Sequence, residues 1–250
     1  MIDRYSYTGK TIKRTIYFYL LNREILCEQK PGGLNVNIIL IGDSGHARVI
    51  ADNITSSGNR VVARLDDKYT EPFKEDGCWL GPVSEVHTLI EQEEAKVVIA
   101  IGSNSVRRKI VERLALGADQ YATVIHKEAI VSPSAAIGEG TVVMPGVIVN
   151  AAAVVGSHAI LNTRLVIEHD CIVGDYAHVS PGAMITGGVK IGEGVHIGAG
   201  ATVIPLKEIG QWSVVGAGAV VIDDIEEHST AVGIPAKVIK MASASAKPVR

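Results

Sequence analysis

From Val131 to Glu226 the chain runs as sixteen consecutive hexapeptides, and every one opens on Val, Ile or Leu. The openers are Val131, Ile137, Val143, Val149, Val155, Leu161, Ile167 and Val173, continuing in phase from Val179 to Val221. The fifth residue of most blocks is small or β-branched, as at Ala135, Thr141, Val147, Ala153, Ala159, Cys171 and Ala177. Neither the helical period of 3.6 nor the strand period of 2 reproduces this spacing. A six-residue period instead means three short strands per coil of a parallel β-helix, with the branched opener filling the prism and the small residue sitting where the walls converge. At three blocks per coil the repeats make about five coils of 18 residues, stacked through main-chain hydrogen bonds. An ordinary Val-rich sheet would need a turn signal roughly every 8 to 12 residues and would lose phase within a few strands.

The 250 residues suffice for two modest domains with cores of their own. The net charge of −3, with no long run of one sign, argues against nucleic acid as a partner and leaves room for a locally held acidic substrate. Cys27, Cys78 and Cys171 are odd in number and far apart, so they form neither a disulfide framework nor a Cys-x-x-Cys metal pair, which suits a reducing, cytoplasmic setting. The apolar stretch from Ile16 to Leu21 is broken by Tyr17 and Tyr19 and is far too short for a membrane span.

Four parts are expected. Residues 1–35 hold four of the seven tyrosines, show no burial period and end in Lys30-Pro31-Gly32-Gly33. They read as a dispensable extension, disordered or upstream of a start at Leu34. Residues 36–120 read as α/β: strands Asn37–Ile41, Val61–Leu65 and Lys96–Ile101, with helices from Ala47 to about Ser56 and from Ser105 to about Leu114. All three strands end in Gly, Asp, Ser or Asn, as in half of a doubly wound sheet, which binds ligands at those ends. Residues 121–226 are the β-helix, and 227–250 a non-repeating tail.

Two places carry chemistry. The turn Gly42-Asp43-Ser44-Gly45-His46 brings backbone close to a ligand and points free helix N–H groups at a phosphate or ribose oxygen. It lacks the middle glycine of the dinucleotide fingerprint, so NAD-dependent redox chemistry loses support. Asp66 and Asp67, some 20 residues on, are placed to accept from a ribose hydroxyl or a base N–H; the alternative is a solvated turn. The second place is Asn162, Glu168-His169-Asp170 and His178. A carboxylate directly follows His169, and His178 is expected at another corner of the prism, half a coil on. Corners that far apart share a ligand only if a neighbouring subunit brings its own corner alongside, which implies a closed oligomer. His178 and His196, 18 residues apart, should stack on adjacent coils; zinc would need a third ligand that the spacing does not supply.

With the Gly-x-Ser-Gly-His turn, Leu65-Asp66-Asp67, Ile101-Gly102-Ser103-Asn104, Ile125-His126-Lys127, Ser132-Pro133-Ser134 and the segment from Asn162 to Ala183, the chain resembles bacterial nucleotide-aminosugar acetyltransferases of the sialic-acid O-acetyltransferase-like hexapeptide family. The resemblance covers about Val36 to Lys240. It implies a Rossmann-like domain for a UDP-linked amino sugar, a left-handed β-helix, and a homotrimer with acetyl-CoA between neighbouring helices. It places the general base at His169, with Asp170 supporting it where the family has glutamate. CoA contacts fall on His178, Gly187, Ala199 and Ala217, with the Gly187 N–H serving the thioester oxygen. Sugar-nucleotide contacts fall on Ser44, Gly45, His46, Asp66, Asp67 and Gly102. The activity implied is direct, metal-free N-acetyl transfer in glycan or exopolysaccharide synthesis. O-acetylation of a sialic-acid-like sugar and a non-catalytic nucleotide-sugar-binding scaffold remain the alternatives.

Overall fold

The computed structural model describes residues 36–241. The expectation for residues 1–35 lies outside the described residues, as does that for the last part of the tail.

Strand β1 (Asn37–Ile41) has four buried residues in succession, and it sits inside a five-stranded sheet flanked by parallel β2 (Arg60–Leu65) and β5 (Ala95–Ile99). A strand covered on both faces reads as a continuous apolar run, which is why β1 shows no alternation. Ile38 and Leu40 pack with helix α1 (Gly45–Ser56), and Ile39 and Ile41 join the core beneath α2 (Val86–Glu93). The expected strands and helices are present with shifts of one or two residues at their ends, and β5 stops at Ile99.

Between β2 and β5 lie elements the sequence reading passed over. Strands β3 (Phe73–Glu75) and β4 (Cys78–Gly81) form an antiparallel hairpin, and β4 extends the sheet beside β2. Its turn is Asp76-Gly77, both left-handed (φ +48° and +80°), the pairing that favours a tight hairpin.

The repeats build a left-handed parallel β-helix whose three sheets hold strands related by 18 residues, such as Val149, Ile167, Ile185 and Val203 in one ladder. From Val143 to Val221 every opener is buried, and so are the small residues Ala153, Ala159, Cys171, Ala177, Ala183 and Ala201. From Gly140 to Gly218 the fourth residue of each hexad is left-handed, with φ between +55° and +70°, which turns each corner. Pairing already begins at Val124–Ile125. The tail also takes part: Ser229–Val232 adds a parallel strand beside Val214–Val215, and Lys237–Met241 pairs antiparallel with it. The non-repeating tail therefore holds two strands through Met241: Ser229 and Ala231 of the first are buried against the last coil, whereas the second is exposed along its length.

Helix α1 lies against the first coils, where Ile50 and Ile54 share one core with Val142 and Val143, and Asn53 Nδ2 donates to the Val143 carbonyl at 3.0 Å. Helix α3 (Asn104–Leu114) buries Asn104 and Arg107 against the corners. Asn104 Nδ2 reaches the Gly194 and Val195 carbonyls at 3.0 and 3.1 Å.

Candidate active site

His169 stands on the corner after the strand Val166–Ile167, and its Nδ1 is 2.8 Å from Asp170 Oδ2. An ionised carboxylate only accepts, so Nδ1 carries the proton and Nε2 presents a lone pair. Asp170 can reach back to its neighbour because it occupies a left-handed corner position (φ +59°), which Asp tolerates better than most residues. The imidazole lies against Gly187 on the next coil, where a Cβ would come within 2.7 Å of Nε2. The two corners are tied by Gly188 N–H donating to the His169 carbonyl at 2.9 Å. The His169 side chain is 63% exposed, so its Nε2 lone pair is open to an incoming group.

His178 is placed differently from the expectation: it occupies the strand His178–Val179 on a prism face, not a corner. The residue that opens a strand points outward, and here the α/β unit covers that face. His178 and His196 are register partners with ring centroids 4.9 Å apart, and His46 lies 6.2 Å away on the α/β side. The Gly102 carbonyl, 3.3 Å from His178 Nδ1, can only accept, so Nδ1 is protonated and Nε2 accepts from Asn162 Nδ2 at 3.1 Å. His196 Nε2 meets Ser180 Oγ at 3.0 Å. These lateral partners hold the two rings as a stack. Among the described residues no group of three His, Cys, Asp or Glu side chains is arranged to hold a metal ion.

Burial, then the charges of His196 and Arg107, push the His178 pKa down to about 3, with a smaller push from His46 and an opposing pull from the Gly102 bond. His46 and His196 are also lowered, by burial first and then by Arg107. The cluster is therefore uncharged near pH 7. It borders an open cleft of about 530 Å³ lined by Gly102, Ser103, Asn104, His178, His196 and Trp212. His46 Nε2 is buried and has no partner among the described residues, so a bound polar group would satisfy it.

At the first turn, Gly42 (φ +109°) leaves no room for a side chain, since a Cβ would press on the Ala100 carbonyl at 3.1 Å. Ser44 and Gly45 are exposed, and Ser44 makes no capping bond, which leaves the first N–H groups of α1 open. Asp43 is the hub here, and the sequence reading missed it although it lies within the turn. Its carboxylate meets Arg64 Nη1 at 3.1 Å, Lys68 Nζ at 2.8 Å and the Tyr69 hydroxyl at 2.6 Å. Burial works to raise its pKa, but these bonds and charges outweigh it and hold the carboxyl below the ordinary value. Asp66 accepts from the Asp43 and Lys68 amides at 2.9 and 3.1 Å. Asp67 turns the other way, to the Val83 amide and Arg113 at 3.1 and 2.9 Å, beside a smaller hollow of about 300 Å³.

Residues 37–114 match the family described as the PglD N-terminal domain, and residues 170–205 match bacterial transferase hexapeptide repeats. The chain is 36% identical to PerB from Caulobacter crescentus, solved with CoA and GDP-perosamine; the match covers 82% of this chain and 97% of that one, with a TM-score of 0.75. The chain belongs to this hexapeptide sugar N-acetyltransferase family. The acetyltransferase domain of PglB from Neisseria gonorrhoeae, solved with acetyl coenzyme A, is 34% identical and matched over its full length, with a TM-score of 0.73. UDP-N-acetylbacillosamine N-acetyltransferase of Bacillus subtilis is 47% identical over 113 residues, 43% of this chain. The chain spans about half (51%) of that curated relative and 21% of a second, an uncharacterized mimivirus protein.

Within this family member the expected residues fall into four groups, one of them the β1 turn and the end of β2, with Ser44, Gly45, Asp66 and Asp67. His169, Asp170 and Gly187 share one corner column. Ala199 and Ala217 lie on another, tied by Gly218 N–H to the Ala199 carbonyl at 2.8 Å. His46, Gly102 and His178 meet at the junction. No hydrogen bond or ring contact joins the His169 corner to the His178 cluster within one chain among the described residues.

Proposed function

We propose that this chain transfers the acetyl group of acetyl-CoA to the amino group of a UDP-linked amino sugar in bacterial glycan synthesis, as a cytoplasmic homotrimer. The observation that carries this reading is the His169 imidazole: Nδ1 tied to Asp170, Nε2 open, and the ring lodged on Gly187. His169 is the general base. The amine nitrogen attacks the thioester carbon while Nε2 takes its proton. As the carbon–sulfur bond breaks, the CoA sulfur leaves and recovers that proton as the thiol, returning His169 to its neutral form. Positioned general-base catalysis contributes roughly 10²–10⁴ in rate. The Gly187 N–H is offered to the developing oxyanion, and the rest of the rate comes from holding both substrates together.

The sugar nucleotide is assigned to the turn at Ser44, Gly45 and His46 with Asp66, Asp67 and Gly102; the acetyl donor to His178, Gly187, Ala199 and Ala217. The Gly187 column and the Ala199 and Ala217 column supply two different edges, which fits a groove closed by a second subunit.

The test is a thiol-release assay with acetyl-CoA and a panel of UDP-amino sugars, with the products read by mass spectrometry. A mass gain of one acetyl group retained after mild base treatment establishes the amide. A base-labile product would establish the O-acetyl alternative. Sugar-nucleotide binding with no thiol released by any acceptor would establish the scaffold.

A further inference from the structure

Arg107 is 1% exposed, and none of its partners is acidic. Its Nε donates to the His158 carbonyl at 2.7 Å, Nη1 to the Ile101 and Gly102 carbonyls at 2.9 and 3.3 Å, and Nη2 to Asn104 Oδ1 and the Tyr176 carbonyl at 3.0 and 2.6 Å. A buried cation with only neutral acceptors is costly, and methionine or leucine would fill such a volume without that penalty. Burial brings its pKa down to about 10, so it keeps its charge at neutral pH. What this guanidinium holds in place is informative. The Gly102 carbonyl that it grips is the one that faces His178 Nδ1.

We propose that Arg107 is a positioning residue for His178: it fixes the Gly102 carbonyl so that only the Nδ1-protonated tautomer of His178 fits, leaving Nε2 as the acceptor for Asn162. The proposal rests on the transferase reading for its kinetic consequence, and on geometry alone for the tautomer. The charge acts in the same direction as the bond network, because a fixed cation beside His46, His178 and His196 disfavours a second positive charge there. Lysine cannot replace it: a single ammonium cannot span carbonyls on the 101–102 loop and on two corners of the β-helix.

The experiment is nitrogen-15 NMR of histidine-labelled full-length protein at pH 7, for wild type, Arg107→Lys and His178→Ala, the last assigning the resonance. Wild type should show His178 protonated at Nδ1, and folded Arg107→Lys should show a tautomer mixture. Turnover of Arg107→Lys should fall on the order of 10²-fold, as misplacement of a site group does, and adding His178→Ala should cost little more because both changes act through one residue. An Nε2-protonated or cationic His178 in wild type overturns the proposal, as does an unchanged tautomer in folded Arg107→Lys, or losses that multiply in the double variant. If Arg107→Lys does not fold, Asn104→Ser, which removes one guanidinium acceptor and keeps the arginine, takes over the tautomer readout, and an unchanged signal there overturns it. The spectra need no substrate, so a failed transferase reading would leave the tautomer result standing.

Discussion

His169 owes its geometry to two neighbours of different kinds. Asp170 follows it in the chain, and the pairing of an imidazole with a carboxylate was legible as two adjacent letters. Gly187 is 18 residues away, and only the coil repeat brings its missing side chain under the ring. Replacing His169 with alanine should lower turnover by about 10²–10⁴ while acetyl-CoA affinity, measured by calorimetry, stays within a few fold, since the general-base role proposed for it is exerted mainly in the transition state. Gly187→Ala tests the second neighbour. Its Cβ would fall 2.7 Å from Nε2, so the imidazole must swing away. Because that ring is largely exposed, the swing is cheap: turnover should fall roughly 10²-fold with the Tm nearly unchanged. A large drop in Tm would show instead that the corner backbone had yielded. Asp67 makes the opposite point. Its position at the end of β2 was legible, but the bonds its carboxylate makes to the Val83 amide and to a largely exposed Arg113 were not, since no local pattern in the sequence announces such long-range bonds.

Among the elements, the strands of the β-helix were the most legible, because each opener meets the same environment and a slip by one residue would expose it. The hairpin β3–β4 is hard to see in the sequence although its Asp-Gly turn is a short-range signal, because charged Lys74 and Glu75 interrupt any run of apolar residues there. The pattern places helix α3 within a residue of its start but carries no sign of its buried arginine, because a basic helix ordinarily faces water. The junction that α3 and α1 make with the prism should be acid-sensitive. His158 and His178 are held at about 4 and 3 in the folded state, by burial first, against an ordinary 6.5, and His46 and His196 are lowered too. The unfolded chain therefore binds more protons than the folded one once the pH drops below about 6.5. The stability that these histidines contribute is full above that value and declines as the pH falls towards 3. The Tm at pH 4.5 should be lower than at pH 7, and His178→Gln should narrow that difference. An equal drop in the variant would take His178 out of the account.

At the scale of the whole molecule, the proposed donor contacts lie along two corner columns and one covered face, and one chain does not bring them together. If a trimer joins them, inactive His169→Ala and His178→Ala chains should complement each other once their subunits exchange, since some interfaces then pair an intact His169 with an intact His178. Recovered thiol release in samples whose mixed trimers are confirmed by native mass spectrometry is the expected result; mixed trimers without activity would place both histidines' work inside single chains. The sequence alone determined the period, and with it the prism, the inward openers and the stacking of His178 on His196, because a repeat of six leaves one way to bury its branched residues. It also determined that an α/β sheet precedes the prism, from three apolar strands with polar ends. Tertiary structure decided which outward face that sheet would cover. That choice turned His178 from a surface residue into a buried neutral one and drew Arg107 into the seam. Periodicity fixes contacts between neighbouring coils, whereas contacts between two differently built halves depend on shapes that appear only after each half has folded.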